Sequence, residues 1–293
     1  MPVTALALVV LAGLIHAAWN IAAKKADGDV RFAFFISLVT LLVWAPLGAY
    51  LGWQQLGGWG STEWACAVAS GLIHVLYFVV LLRGYRKSDL TVVYPLARGS
   101  GPLISSMVAV ALFGERISAL GFTGIAAVVF GVFLIAGGPG IWSKLRTDEQ
   151  RERIYKGVQY GVLTGLTIAS YTLVDGYSVK VLRMSPILAF YVACCVQSLF
   201  MVLPVFRDVG MARQHWQRQW KYALLVGAVS PVSYVMVLYA LQIAPLSHLA
   251  PAREVSMLFA ALLGGHLLGE GDRLARLCGA ACICSGVAAL ALG

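Results

Sequence analysis

The chain has 293 residues, of which 60% are hydrophobic and only 12% charged, and its mean hydropathy is +0.81. So little polar surface cannot cover a water-soluble globule of this size, which places the chain among polytopic membrane proteins. The formal net charge of +9 does not call for a nucleic acid, because it collects in short connections between apolar runs, where it suits an anionic bilayer surface.

About twenty apolar residues at ~1.5 Å rise cross a ~30 Å hydrocarbon core, and ten runs meet that requirement. In chain order they are Val3 to Ala23, Phe32 to Leu51, Trp64 to Leu82, Leu90 to Phe113, Leu120 to Ala136, Gly157 to Tyr177, Pro186 to Phe206, Tyr222 to Leu241, Leu246 to Leu268 and Leu274 to Leu292. Nothing basic precedes the first run and Lys24 and Lys25 follow it, so it reads as a retained helix rather than a cleaved signal. The longest connection supplies a charged, Gly/Pro-opened linker at residues 139–156, between a first half at 1–138 and a second at 157–293.

Of the 22 lysines and arginines, 17 fall in or beside the odd-numbered connections and three (Arg116, Lys180 and Arg183) in the even-numbered ones. This bias puts the odd connections in the cytoplasm and both termini outside. The remaining two are Arg98 and Arg253, each inside an apolar run. A guanidinium in hydrocarbon costs ~2.5 kcal/mol or more, so such residues face a protein interior or a water-filled path.

Shifting the chain by 155 residues aligns Arg98 with Arg253, Gly114-Glu115 with Gly269-Glu270, Gly124 with Gly279, Gly131-Val132 with Gly286-Val287, Asn20 with Asp175 and Lys25 with Lys180. Each half holds five runs, an odd number, so the second enters the membrane upside down relative to the first. The expected fold is therefore all-α and integral to the membrane: ten transmembrane helices in two inverted five-helix repeats around a central cavity. In both halves the fourth run carries a proline, Pro95 and Pro251, which removes a helical hydrogen bond and frees a carbonyl at membrane depth. Proline-interrupted spans at corresponding positions point to a transport site, though a kink that serves only packing reads the same way.

Thr91, Tyr94, Arg98, Gly101 and Ser105 recur at helical spacing and form one polar face on the fourth run; Ser256 shares a face with Arg253, while Glu254 points about 100° away. An arginine so placed clamps a substrate carboxylate, closes a gate by pairing with an acid, or is permanently neutralised by a neighbour. Asp175 and Glu254 are the acids within apolar runs and hence the partners expected for Arg253, as gate or coupling residues; Glu115 and Glu270 read as end caps or gate locks. Asp175 stands where the first half has Asn20, which suits either proton coupling or an outer salt bridge. His16, Trp19 and Asn20 on the first run, His74 and Tyr77 on the third, and Ser230 and Tyr234 on the eighth are polar groups that need partners in lipid, and a shared hydrated cavity supplies them. Gly124, Gly131, Gly279 and Gly286 form small-residue stripes for close helix packing, within a monomer or across a weak homodimer. No chelating spacing surrounds the cysteines, and neither a His-Glu-x-x-His nor a Gly-x-Ser-x-Gly motif occurs, so neither a metal, a cofactor nor an enzymatic role is expected.

The segments His16-Ala17-Ala18-Trp19-Asn20 with Lys24-Lys25, Val93-Tyr94-Pro95-Leu96-Ala97-Arg98, the Gly-Glu after each fourth run, Tyr171-Thr172-Leu173-Val174-Asp175-Gly176 and Arg253-Glu254 resemble the EamA group of the drug/metabolite transporter superfamily, as two tandem repeats. The resemblance implies a cavity lined by the third, fourth, eighth and ninth spans with the first and sixth, which adds Tyr171 to the candidate lining. It implies residence in a bacterial inner membrane and export of small metabolites, amino acids including aromatic ones, with lipophilic-cation efflux as the alternative. Two central arginines weigh electrostatically against cations.

Overall fold

The computed structural model describes residues 1–26, 28–88, 90–135, 147–260 and 273–293. Among the described residues the chain is all-helical: α1 (Val3–Ala26), α2 (Val30–Gln55), α3 (Ser61–Lys87), α4 (Leu90–Phe113), α5 (Ala119–Ile135), α6 (Asp148–Lys180), α7 (Pro186–Phe206), α8 (Val209–Ile243), α9 (Leu246–Ala252) and α10 (Arg273–Leu292). Helix resumes after α9 at residues 255–260; the rest of the expected ninth span, together with Gly269 and Glu270, lies outside the described residues. Helices are the open-ended structures that satisfy every backbone group without water, which is why apolar runs of this length fold so.

Among the described residues six helices are long and apolar enough to span a bilayer, in α1, α2, α3, α4, α7 and α8, while α5 and α10 contribute apolar stretches of fewer than eighteen residues. Helix α6 is long, but Thr164, Thr167, Thr172, Asp175 and Ser178 on its buried surface and a charged first turn keep its hydropathy low. Two helices begin earlier than apolarity alone indicates. The start of α6 at Asp148 converts the end of the expected linker into helix, fixed by a capping box between Thr147 and Gln150 and by Lys156 donating to Glu152 one turn away at 2.6 Å. Helix α8 begins at Val209, where Asp208 accepts from Met211 N at 2.9 Å.

Helix α1 packs on α8 and α6 on α3; α2 packs on α7 and α8, and α7 on α3; α4 meets α9, and α5 meets α10. Exchanging α1–α5 with α6–α10 leaves this set unchanged; α4 also packs on α6, and there the symmetry is broken, since the corresponding α9–α1 contact is slight among the described residues. The glycine stripes are used here, within the chain. A β-carbon on Gly124 would lie 2.8 Å from Gly286 O and one on Gly131 2.6 Å from Gly279 O, and the reciprocal positions are as tight, so α5 and α10 run antiparallel in backbone contact.

Prolines inside helices make the inter-helix hydrogen bonds that hold the bundle. Pro231 in α8 leaves Gly227 O without its intrahelical donor, and Thr40 of α2 supplies one at 2.8 Å. Pro251 likewise frees Ser247 O, which accepts from Ser106 of α4 at 2.9 Å. The two halves differ at the expected break. Helix α4 continues through Pro95, whereas α9 ends at Ala252 and tightens into a turn, with Glu254 N bonding Pro251 O, Ser256 N bonding Arg253 O and Met257 N bonding Glu254 O at 2.8 to 3.2 Å. These are i→i+3 bonds, closer to ~3 residues per turn than 3.6, and they rotate Arg253 and Glu254 away from their α-helical directions.

Candidate functional site

A cavity of about 470 Å³ lies between the halves. It runs from Val9 and Gly13, midway along α1, to Gly28 and Asp29 in the α1–α2 connection, with Leu82 and Tyr85 near the end of α3 on its wall. It therefore reaches the face that carries the basic, odd-numbered connections. Of the residues named from sequence, it brings together His16, Trp19, Asn20, His74, Tyr77, Tyr94, Arg98, Tyr171, Ser230, Tyr234, Arg253 and Ser256. Ser105 is not among them. It is buried and donates to Pro102 O on its own helix at 3.1 Å, and its neighbour Ser106 is the residue that reaches across to α9.

The two arginines are held differently. Arg98 Nε lies 2.9 Å from Glu254 Oε2, and its Nη2 donates to Ser256 Oγ at 3.1 Å, so α4 and the turn after α9 are joined by an ion pair whose acid is almost fully buried. Arg253 reaches Thr172 Oγ1 only at 3.5 Å, and its guanidinium sits 5.6 Å from the centroid of the Tyr234 ring. The expected pairing of Arg253 with Glu254 or Asp175 is therefore not made in this conformation. The tightened turn at residues 251–257 gives Glu254 to Arg98, and Asp175 accepts from the Tyr234 hydroxyl instead. Asp175 lies off the main cavity, in a chamber of about 20 Å³ that it shares with Ser70, His74 and Gln197.

Aromatic rings line the wall between these charges. His74 stacks on Tyr171 with centroids 4.2 Å apart, and Tyr77 and Tyr234 pack edge-on against Tyr171 at 6.0 and 6.4 Å. Across from them Trp19 Nε1 donates to Ser233 Oγ at 3.3 Å, tying α1 to α8, and Asn20 Nδ2 returns to His16 O at 2.9 Å within its own helix. Sequence reasoning missed Thr172, whose significance depends on where Arg253 points, and Tyr85. The second was within reach: His74, Tyr77, Phe78, Leu81, Leu82 and Tyr85 fall on one helical stripe and all line the cavity. Phe32, Ile36 and Thr40 of α2 also line it, and in an otherwise apolar helix they gave no periodic signal.

The opposite end is tied shut. Gly114 adopts φ +65°, a left-handed conformation that ends α4 and turns Glu115 inward. Glu115 Oε1 accepts from Lys180 Nζ and Leu246 N, both at 2.9 Å, and Oε2 accepts from Ser247 N at 2.8 Å. One carboxylate thus joins the α4–α5 connection to the end of α6 and the start of α9. Burial raises the Glu115 carboxyl, but the Lys180 ammonium and the Ser247 and Leu246 N–H groups outweigh it and hold the group below the usual carboxylate range. The termini lie at this end too, with the Met1 ammonium donating to Ala291 O at 2.8 Å.

The sequence signature of the EamA-like transporter family matches residues 3–137 and 155–292. A solved structure described only as the crystal structure of a protein superimposes with a TM-score of 0.75, covering 98% of this chain and 98% of its own at 14% identity, a likeness that concerns the fold alone. No curated protein matches the sequence.

Proposed function

The chain belongs to the EamA-like transporter family, and from that premise we propose that it is an alternating-access exporter of small polar metabolites, amino acids foremost. It is a multi-pass membrane protein, and the proposed setting is a bacterial inner membrane with both termini outside. The observation that carries the reading is the cavity of about 470 Å³, which holds two arginines and an aromatic wall, reaches the basic face and ends short of the Glu115 lock. A volume of that order suits a metabolite. With the basic face in the cytoplasm, this conformation is the inward-facing one.

Two inverted five-helix repeats, at residues 1–138 and 157–293, account for the helix pairs that exchange with one another and for the antiparallel α5–α10 contact. The same architecture lets one half rock against the other around a fixed site. The glycine stripes are spent within the chain, which favours a monomer. Amino acids lead among metabolites because a guanidinium reads a carboxylate bidentately while aromatic rings and hydroxyls accept the rest.

The test is counterflow in proteoliposomes with labelled amino acids, sugar phosphates and lipophilic cations. Accumulation of one or more amino acids, absent from protein-free vesicles, is the expected result. Accumulation of the cations alone would overturn the export reading.

A further inference from the structure

The cavity contains two guanidiniums, and the structure treats them unequally. Arg98 has a carboxylate at 2.9 Å and a hydroxyl at 3.1 Å, so its charge is balanced by an ion pair and its Nη2 donates to Ser256 Oγ. Among the described residues Arg253 contacts neutral groups: the Thr172 hydroxyl at the edge of hydrogen-bonding distance and the Tyr234 ring. Glu254 serves Arg98, and Asp175 is engaged by the Tyr234 hydroxyl in a side chamber behind the His74 and Tyr234 wall of the cavity. A guanidinium has five N–H donors, and Arg253 lines the cavity with no acid of the described residues in contact. We infer that Arg253 is the anion-binding group of the cavity, taking a singly charged carboxylate between its guanidinium and Thr172, and that Arg98 with Glu254 is a charge-balanced strut between α4 and the turn after α9.

The difference coincides with the turn that follows Pro251. The two arginines coincide in the 155-residue register, yet only the second follows a proline by two residues and lies in the i→i+3 turn. That turn sends Glu254 toward α4 and leaves its own neighbour without an acid. The Tyr234 ring presents its electron-rich face to the Arg253 guanidinium, which stabilises the cation without neutralising it.

The inference rests on the export reading for its class of cargo, so its test has an arm that needs no cargo. Ser230 lies one turn from Tyr234 on α8 and lines the cavity. In a chain whose six cysteines are replaced, Ser230→Cys is modified with an anionic sulfonatoethyl and a cationic trimethylammonioethyl methanethiosulfonate, each rate normalised to that of a free thiol. In Arg253→Gln the anionic rate should fall and the cationic rate rise by about tenfold each, the effect of one unit charge about 10 Å away at an effective dielectric near 20, so the normalised preference for the anionic reagent should fall about a hundredfold. It should persist in Arg253→Lys, which separates loss of charge from misfolding, and in the charge-neutral pair Arg98→Gln with Glu254→Gln. A preference that survives Arg253→Gln, or that disappears in the neutral pair, overturns the assignment. In the second arm, counterflow with L-phenylalanine and L-phenylalaninamide should show a preference for the carboxylate that Arg253→Gln reduces about tenfold to a hundredfold, the worth of a charge-assisted hydrogen bond. A parent protein that moves neither compound nor any other amino acid counts against the export reading, while the reagent arm still decides the role of Arg253.

Discussion

Replacing Glu115 with glutamine should release the closed end of the cavity. The carboxylate accepts three hydrogen bonds at 2.8 to 2.9 Å, one from an ammonium and two from backbone N–H groups at the start of α9. The Glu115 side chain is 8% exposed but Lys180 is 35% exposed, so the ammonium contact is screened and contributes about 1 kcal/mol, and each N–H to carboxylate bond contributes about as much. Glutamine keeps one carbonyl acceptor and about 1 kcal/mol of the three. The net loss of about 2 kcal/mol moves the equilibrium between closed and open forms of that end roughly thirtyfold. Ala109, fully buried on the last turns of α4, reports on it: in a cysteine-depleted protein, Ala109→Cys should react with an impermeant maleimide applied from the α4–α5 face faster when Glu115 is glutamine. Acidification should act in the same direction. Because the folded carboxyl lies below its ordinary value, its stabilisation is complete above the unfolded pKa, ~4.3, and is lost as pH falls through the depressed one. Labelling unchanged by the substitution, with the protein still folded, would refute the lock.

Further outcomes follow from the same contacts. Thr40→Val leaves the carbonyl freed by Pro231 buried and without a donor, and should lower stability by about 1 to 3 kcal/mol, read as the melting temperature of the detergent-solubilised protein. Arg98→Ala strands the Glu254 carboxylate in the interior, at a cost of about 3 to 5 kcal/mol, whereas Arg98→Gln with Glu254→Gln should recover most of that loss in the same melt. A reporter enzyme active only in the cytoplasm, fused after Gly293, should give no signal, because 17 of the 22 basic residues mark the opposite face.

What the sequence made legible was set by periodicity and by chemistry with few solutions. The apolar runs, the register of the two halves and the stripe from His74 to Tyr85 all follow from spacing along a helix. The need of freed carbonyls for partners follows from Pro251 itself, though not the identity of the donor: Ser105 and Ser106 are adjacent, and only the rotation of α4 against α9 selects Ser106. Polar content hid the length of α6, and the helical start of α8 lies in a basic segment that reads as a loop until Asp208 is recognised as its cap. The acid partner of each arginine was not legible, because extrapolating at 100° per residue through Glu254 assumes an α-helix where the chain makes a tighter turn.

That failure bears on mechanism. Two sequence-equivalent arginines in an inverted repeat would, under exact symmetry, be equally neutralised or equally bare, and the cavity would bind its cargo the same way from either end. One proline one residue closer to its arginine removes that equivalence. Pro251 frees Ser247 O for Ser106, and the turn that follows it places Glu254 on Arg98, so α4 and the end of α9 are fastened by two contacts that lie within a few residues of each other. Glu115 adds a third tie between the α4–α5 connection and α9, at the N–H groups of Leu246 and Ser247. Opening that end requires α9 to leave Glu115, and α9 can move only with the turn that positions Arg253. On the proposed reading of the cavity, displacement of the lock and reorientation of Arg253 would therefore be motions of a single short segment, and a carboxylate bound at Arg253 would have a direct mechanical route to the closed end.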